Sequence, residues 1–218
     1  MAKTVPARLV EWKDIAAWCS TLGEKIVSSD FRPDVIVGMA RGGWVPSRIL
    51  CDELVVRGLI SVKTQHWGIT ATRDGRAVLS SNISEDISGC RVLVVDDITD
   101  TGESIKLAFD HVRSQGALET RTATMLHINH SNFVPDYYAE EISSDRWTWF
   151  VFPWNYYEDM AKFITDIVSE KPSTVAEIRA GLESNNSIRL NERQLISVLI
   201  RLSRLGIISR RGKEWGKT

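Results

Sequence analysis

The chain has 218 residues, 43% of them hydrophobic and 25% charged, with a net charge of −1. That is room for one sizeable core, or for a domain of about 150 residues with a small appendage, in the composition range of an ordinary soluble globular protein. So balanced a charge excludes a strong overall attraction to nucleic acid or to a membrane surface; any such preference has to be local. Cys19, Cys51 and Cys90 are far apart and lack C-x-x-C spacing, which fits small buried side chains rather than a zinc or disulfide framework. No apolar signal region opens the chain, and no run approaches the roughly 20 apolar residues of a membrane span, so the expectation is a cytoplasmic protein with no membrane partner.

Residues 11–28 carry Trp12, Ile15, Trp18, Leu22 and Ile26 at helical spacing and predict an amphipathic helix. After Pro33, the apolar run at 34–39 predicts a buried strand, Ala40-Arg41-Gly42-Gly43 a turn, and 44–54 a helix. A second strand fits 60–67. The polar, glycine-containing stretch 68–77 reads as a mobile loop. Residues 91–96 form the clearest buried strand, followed by a short loop and a helix over about 104–115 that Gly116 stops. Further strands fit 120–128 and 147–152. Strand, turn and helix in repetition imply an α/β fold with a parallel sheet, in which ligands bind beyond the carboxyl ends of the strands. From about residue 157 the pattern changes to three helices and a hairpin over Arg211-Gly212-Lys213, a winged-helix-like arrangement. The expected domains are 1–156 and 157–218.

The chemistry concentrates in the run from Val92 through Asp96, Asp97, Thr99, Asp100, Thr101, Gly102 and Glu103 to Ser104. A buried strand delivers two adjacent carboxylates to the sheet edge, and a loop with small hydroxyl side chains then opens a helix. Backbone N–H groups at such a helix start favour a phosphate, and Gly102 permits close approach. Carboxylates beside a phosphate site suit sugar hydroxyls, so the loop reads as a sugar-phosphate cradle. In the earlier turn, Arg41 beside two glycines offers a guanidinium fork and open backbone N–H groups to a pyrophosphate. The run from Trp149 to Trp154 reads as a core strand, with a flat aromatic suited to stacking on a base.

The run ending at Ser104 resembles the signature of the type I phosphoribosyltransferases, most closely the 6-oxopurine branch, and the similarity spans about residues 30–157. The resemblance implies the parallel-sheet fold of that family with a small C-terminal winged-helix-like domain. It also implies transfer of ribose 5-phosphate from phosphoribosyl pyrophosphate to a purine base, with Mg2+ as cofactor and a homodimer as the assembly. Asp96 and Asp97 would meet the ribose hydroxyls and, weakly and indirectly, the metal. The segment from Thr99 through Asp100, Thr101, Gly102, Glu103 and Ser104 would hold the 5-phosphate, with Asp100 as general acid/base near ring nitrogen 7. Ala40, Arg41 and Gly42 match the pyrophosphate loop, with Arg41 counted as catalytic. Trp149 would stack on the base and Phe150 would offer backbone hydrogen bonds to its edge. The loop at 68–77, with His66, Trp67 and Arg73 nearby, matches a flexible hood over the reacting centre.

The chain departs from this pattern in two places. The 6-oxopurine enzymes carry a lysine after the strand matching 120–128; here Asn129 falls there, within one residue. An ammonium suits a carbonyl and repels an amino group, whereas an amide accepts as well as donates, so the substitution points toward adenine over hypoxanthine, guanine or xanthine. The alternative is that Asn129 faces solvent and His127, His130 or backbone makes the contact. In the second place, Asn155 stands where an acid often helps a second magnesium. In the tail, residues 191–218 hold seven Lys/Arg against two Asp/Glu, so the rival function is a transcriptional regulator that reads DNA through the C-terminal domain.

Overall fold

The computed structural model describes residues 4–67, 76–79, 83 and 85–218. A three-residue strand, β1 (Ala7–Leu9), precedes α1 (Trp12–Val27), whose Ile15, Trp18, Cys19, Leu22 and Ile26 are buried at the predicted spacing. There follow β2 (Val35–Ala40), α2 (Trp44–Glu53), β3 (Gly58–Trp67) and β4 (Arg76–Leu79). Next come β5 (Arg91–Thr99), α3 (Glu103–Ser114), β6 (Glu119–Ile128), β7 (Tyr137–Ile142) and β8 (Trp149–Val151). The chain ends with α4 (Tyr156–Glu170), β9 (Ser173–Thr174), α5 (Val175–Asn186), α6 (Glu192–Arg204), β10 (Ile208–Arg211) and β11 (Glu214–Lys217).

Two compact units divide the chain: Lys13–Trp147, and the N-terminal segment through Trp12 together with Thr148–Thr218. The division expected near residue 156 thus falls at Trp147, because β1 pairs in parallel with β8 (Ala7↔Trp149, Leu9↔Val151) and takes β8 into the C-terminal unit.

The Lys13–Trp147 unit is built on a six-stranded sheet in the order β4-β3-β2-β5-β6-β7, parallel except for β4, which runs antiparallel to β3. Strands β2 and β5 are apolar at successive positions because both faces are covered. Val37, Met39, Val92 and Val94 meet Ile105, Ala108 and Val112 of α3. On the opposite face, Gly38 lies so close to α2 that a Cβ there would stand 2.7 Å from Ser47 Oγ. From β2 the chain turns outward through α2 to β3; from the adjacent β5 it turns the other way through α3 to β6. Between β2 and β5 the strand order therefore reverses, the place where open α/β sheets form a crevice at the strands' carboxyl ends.

Strand β5 is longer than its sequence predicts. It continues through Thr99 in register with β6 (Asp96↔Thr124, Thr99↔His127), so Asp97, Ile98 and Thr99 join Asp96 as strand residues rather than opening the loop. The stretch 68–77, including Arg73, lies outside the described residues except for Arg76 and Ala77, which begin β4. His66 and Trp67 end β3, and their side chains are likewise outside the described set.

In the other unit, Met160, Phe163, Ile164 and Val168 of α4 form one core with Ile178 and Leu182 of α5 and with Leu195, Val198, Leu199 and Leu202 of α6. Helices α5 and α6 each start at a capping box, Thr174 with Glu177 and Asn191 with Gln194. Besides the β1–β8 pair, this unit has a three-stranded sheet in the order β10-β11-β9.

Candidate active site at the strand-order reversal

The two motif loops are in direct contact. A Cβ on Gly42 would lie 2.0 Å from Asp97 Oδ2, and one on Gly43 would lie 2.3 Å from the Val95 carbonyl oxygen and 2.8 Å from Asp96 Cα. A side chain at Gly42 would displace the Asp97 carboxylate and one at Gly43 would push into the backbone of β5 and β2, so the glycines are there for close approach. The Asp96 carboxylate accepts from the Asp97 backbone N–H at 2.9 Å and from that of Gly43. Burial pushes the Asp96 carboxyl well above the usual carboxylate range, and the negative charge of Asp97 adds to it. An acid held back from ionising in this way gains most from hydroxyl donors or a cation placed beside it. The Ala40–Arg41 peptide is cis, and the Arg41 side chain is exposed.

Beyond β5, Asp100 and Thr101 lead to Gly102, which caps α3 in the left-handed region (φ 85°). A Cβ at Gly102 would also stand 2.6 Å from Ser131 Oγ and 2.9 Å from the Phe133 backbone nitrogen. The glycine therefore serves packing against the 131–133 loop, which is tied to this turn by the Asn132 N–H donating to the Thr101 carbonyl at 3.1 Å. Thr101 and Glu103 are exposed and Ser104 is half-buried at the start of α3. Thr99 departs from expectation. It is buried, and its hydroxyl is bonded to the Thr124 hydroxyl at 3.1 Å, which ties β5 to β6. Its side chain points into the sheet rather than to a substrate.

The geometry engages the Asn129 side chain in a turn of its own, which lends the argument toward adenine no support. The Asn129 side-chain oxygen accepts from the Ser144 backbone N–H at 2.9 Å, capping the turn at 144–146. That bond takes one of the oxygen's two lone pairs and fixes the side chain in the turn, with its NH2 donors and one acceptor position left over. His127 is buried in β6 with its ring 5.0 Å from that of Tyr138, and burial lowers its pKa. His130, the next residue after Asn129, instead reaches Asp100: His130 Nε2 lies 2.8 Å from Asp100 Oδ1. Of the alternatives that spacing leaves open, His130 is the one that the 129–133 loop brings beside Asp100.

Trp149 and Phe150 belong to the other unit, on β8. The Trp149 N–H donates to the Pro6 carbonyl and the Val151 carbonyl accepts from the Val10 N–H, at 2.8 and 3.0 Å. Successive residues of a strand direct their amides to opposite edges, so those of Phe150 face away from β1. The indole N–H of Trp149 faces the Asp159 carboxyl, which burial lifts to about 6 despite that contact. Trp154 stacks on Phe152 at 4.9 Å and meets Trp12 at 6.1 Å, which gives this end of the unit an aromatic wall.

A phosphoribosyl transferase domain matches residues 7–160, and the chain belongs to that family, a class of pentosyltransferase enzymes. It is 32% identical over 123 residues to a xanthine-guanine phosphoribosyltransferase of Cereibacter sphaeroides, a match covering 55% of this chain and 68% of that protein. With a hypoxanthine-guanine phosphoribosyltransferase of Schizosaccharomyces pombe it shares 26% identity over 137 residues, 53% of this chain and 65% of the relative. The chain thus spans about two thirds of the length of these curated relatives. The crystal structure of a purine phosphoribosyltransferase from Pyrococcus horikoshii superposes with a TM-score of 0.59 at 30% identity, over 68% of this chain and 93% of that one. No helix among the described residues is long and apolar enough to cross a membrane.

Proposed function

We propose that the protein is a 6-oxopurine phosphoribosyltransferase, which transfers ribose 5-phosphate from phosphoribosyl pyrophosphate to hypoxanthine, guanine or xanthine. The observation that carries this reading is the Asp100–His130 pair beside the Asp96-Asp97 cradle. His130 Nε2 holds Asp100 one hydrogen bond away, and the protonated imidazole keeps a second donor, Nδ1–H, for a 6-oxo group beside the ring nitrogen that Asp100 would meet. The names of the curated relatives favour an oxopurine, and the NH2 donors of Asn129 are compatible with its carbonyl.

In this reading the bond from the anomeric carbon to pyrophosphate breaks with its electron pair leaving on the pyrophosphate oxygen. The new bond forms from the purine nitrogen, and the proton the base sheds passes to Asp100. Arg41, Ala40 and Gly42 receive the developing charge of the pyrophosphate. Asp96 and Asp97 accept from the ribose hydroxyls, and Thr101 to Ser104 hold the 5-phosphate, so that proximity supplies much of the acceleration. Trp149 stacks on the base and Phe150 offers its outward amide edge. No cluster of three metal-ligating side chains occurs among the described residues. Asp96 and Asp97 therefore suit an Mg2+ ion carried mainly by the substrate's own oxygens, where it would neutralise pyrophosphate charge. By resemblance we expect a homodimer, which sedimentation would check.

The test is pyrophosphate release with phosphoribosyl pyrophosphate, Mg2+ and each of adenine, hypoxanthine, guanine and xanthine. The expected result is an oxopurine preferred over adenine by about a hundredfold or more in kcat/KM, because a donor-lined site leaves a 6-amino group unpaired. Preference for adenine would restore the Asn129 argument and refute the reading of His130. Silence with all four bases would refute the enzyme. Asp100→Asn should lower kcat by about 10²–10³ while leaving the KM for phosphoribosyl pyrophosphate nearly unchanged.

A further inference from the structure

We propose that the C-terminal unit binds double-stranded DNA through the exposed face of α6 and the β10–β11 hairpin. This function is separate from base transfer and rests on neither Asp100 nor the phosphate loop. Three observations within the unit support it.

The first is architecture. Helices α4, α5 and α6, the strand β9 between the first two, and a closing antiparallel hairpin joined to β9 reproduce a winged helix element by element. In that arrangement the second helix of the α5–α6 pair enters the major groove and the hairpin lies along the backbone. Helix α6 is 13 residues long, about 20 Å at 1.5 Å per residue, and is long enough to lie in that groove.

The second is the division of α6 into two faces. Leu195, Val198, Leu199 and Leu202 are buried in the core. Arg193, Ser197, Arg201 and Arg204 follow at helical spacing on the solvent side and line one open groove with Ile196 and Ile200. The side chain of Arg201 is held 4.1 Å over the Tyr157 ring, and Arg210 is held by its bond to the Gly212 carbonyl at the hairpin turn. Guanidinium forks on a fixed helix face suit phosphates and guanine edges, and the isoleucines suit thymine methyl groups.

The third is charge. Residues 191–218 carry a net +5 in a chain of net −1, which leaves the preceding 190 residues at −6. Elsewhere in the unit Lys162 is paired with Asp166, Lys171 with Glu177 and Arg189 with Glu183, while Arg179 of α5 is an exposed cation outside this face. Arg193, Arg204, Arg211 and Lys213 have no carboxylate partner among the described residues. A two-fold contact with a second copy would set these cations against themselves. A-form RNA is also a poor occupant, since its deep, narrow major groove excludes a helix. Duplex DNA fits both the charge and the shape.

The test is fluorescence anisotropy of a 25-bp duplex with the full chain across 50–200 mM KCl. We expect micromolar affinity at the low end and a log–log salt slope of about −4, as four or five neutralised phosphates give. Arg193→Ala/Arg204→Ala and Arg211→Ala/Lys213→Ala should each weaken binding about tenfold or more and make the slope shallower by about 2 units. Both pairs should leave melting temperature and pyrophosphate release as in the parent chain. The proposal is overturned if duplex DNA fails to bind at 50 mM KCl, or if both variants bind as the parent does. It is equally overturned if the substitutions instead abolish self-association or the binding of a single-stranded RNA that outcompetes the duplex.

Discussion

Gly42 and Gly43 are adjacent, yet replacing each with alanine should break different things. At Gly42 the new methyl would meet the Asp97 carboxylate, the end of a side chain rather than backbone. Stability should then stay within about 1 kcal/mol of the parent, helped slightly by the loss of glycine's freedom in the unfolded chain. The displaced carboxylate would leave a ribose hydroxyl without its acceptor. The loss of one charged hydrogen bond, about 1.5–3 kcal/mol, predicts a KM for phosphoribosyl pyrophosphate raised roughly tenfold to a hundredfold. At Gly43 the methyl would meet the carbonyl oxygens of Val95 and Met39 and the Asp96 Cα, all backbone of β5 and β2. The backbone there is α-helical (φ −68°, ψ −11°) and suits alanine, so any cost comes from contact alone. Two strands must separate, and the upper end of overpacking costs, about 3 kcal/mol, is the expectation. Urea denaturation followed by far-ultraviolet circular dichroism measures the stabilities, and initial rates of pyrophosphate release measure the KM. A Gly43→Ala variant as stable as the parent, or a Gly42→Ala variant that unfolds while Gly43→Ala does not, would refute this account of the cradle.

Asp159 should give a pH-dependent stability. Its folded-state pKa, about 6, lies above the unfolded value near 3.8, so the penalty is absent below pH 4 and grows as pH rises through 6. Asp159→Asn should be more stable than the parent at pH 7.5, by at most about 3 kcal/mol, and equal to it at pH 4; urea midpoints at both pH values decide, and a variant less stable at pH 7.5 would sink the assignment. Thr99→Val should cost about 1–3 kcal/mol by stranding the buried Thr124 hydroxyl, and Thr99→Val/Thr124→Val should recover most of that. A rise of more than about threefold in the KM for phosphoribosyl pyrophosphate would return Thr99 to the substrate site.

The parts of this molecule that could be read from the sequence are those with an apolar period. The strand at 91–96 and the helix from Trp12 were legible because burial on a sheet's two faces, or on one helix face, leaves a pattern in the chain. Strand β7 leaves none. Tyr137–Ile142 holds the sheet's edge, pairs with β6 on one side, and carries charges that water can reach. Strand β1 is too short at three residues to show any period. Within the site, the motif residues were legible by spacing, but their partners were not. That Asn129 caps the turn at Ser144, that Thr99 turns to Thr124, and that His130 reaches Asp100 all depend on how a loop returns across neighbouring strands.

The pairing of β1 with β8 has one more implication. It makes the Lys13–Trp147 unit an insert, entered and left through two neighbouring strands of the other unit. During synthesis Ala7–Leu9 emerge first but must wait for Trp149–Val151 before they have a partner, so the C-terminal unit closes only after the sheet-bearing unit has been made. Force applied between a point before Ala7 and a point after Val151 should therefore load the β1–β8 ladder before any of it reaches the Asp96–Ser104 segment.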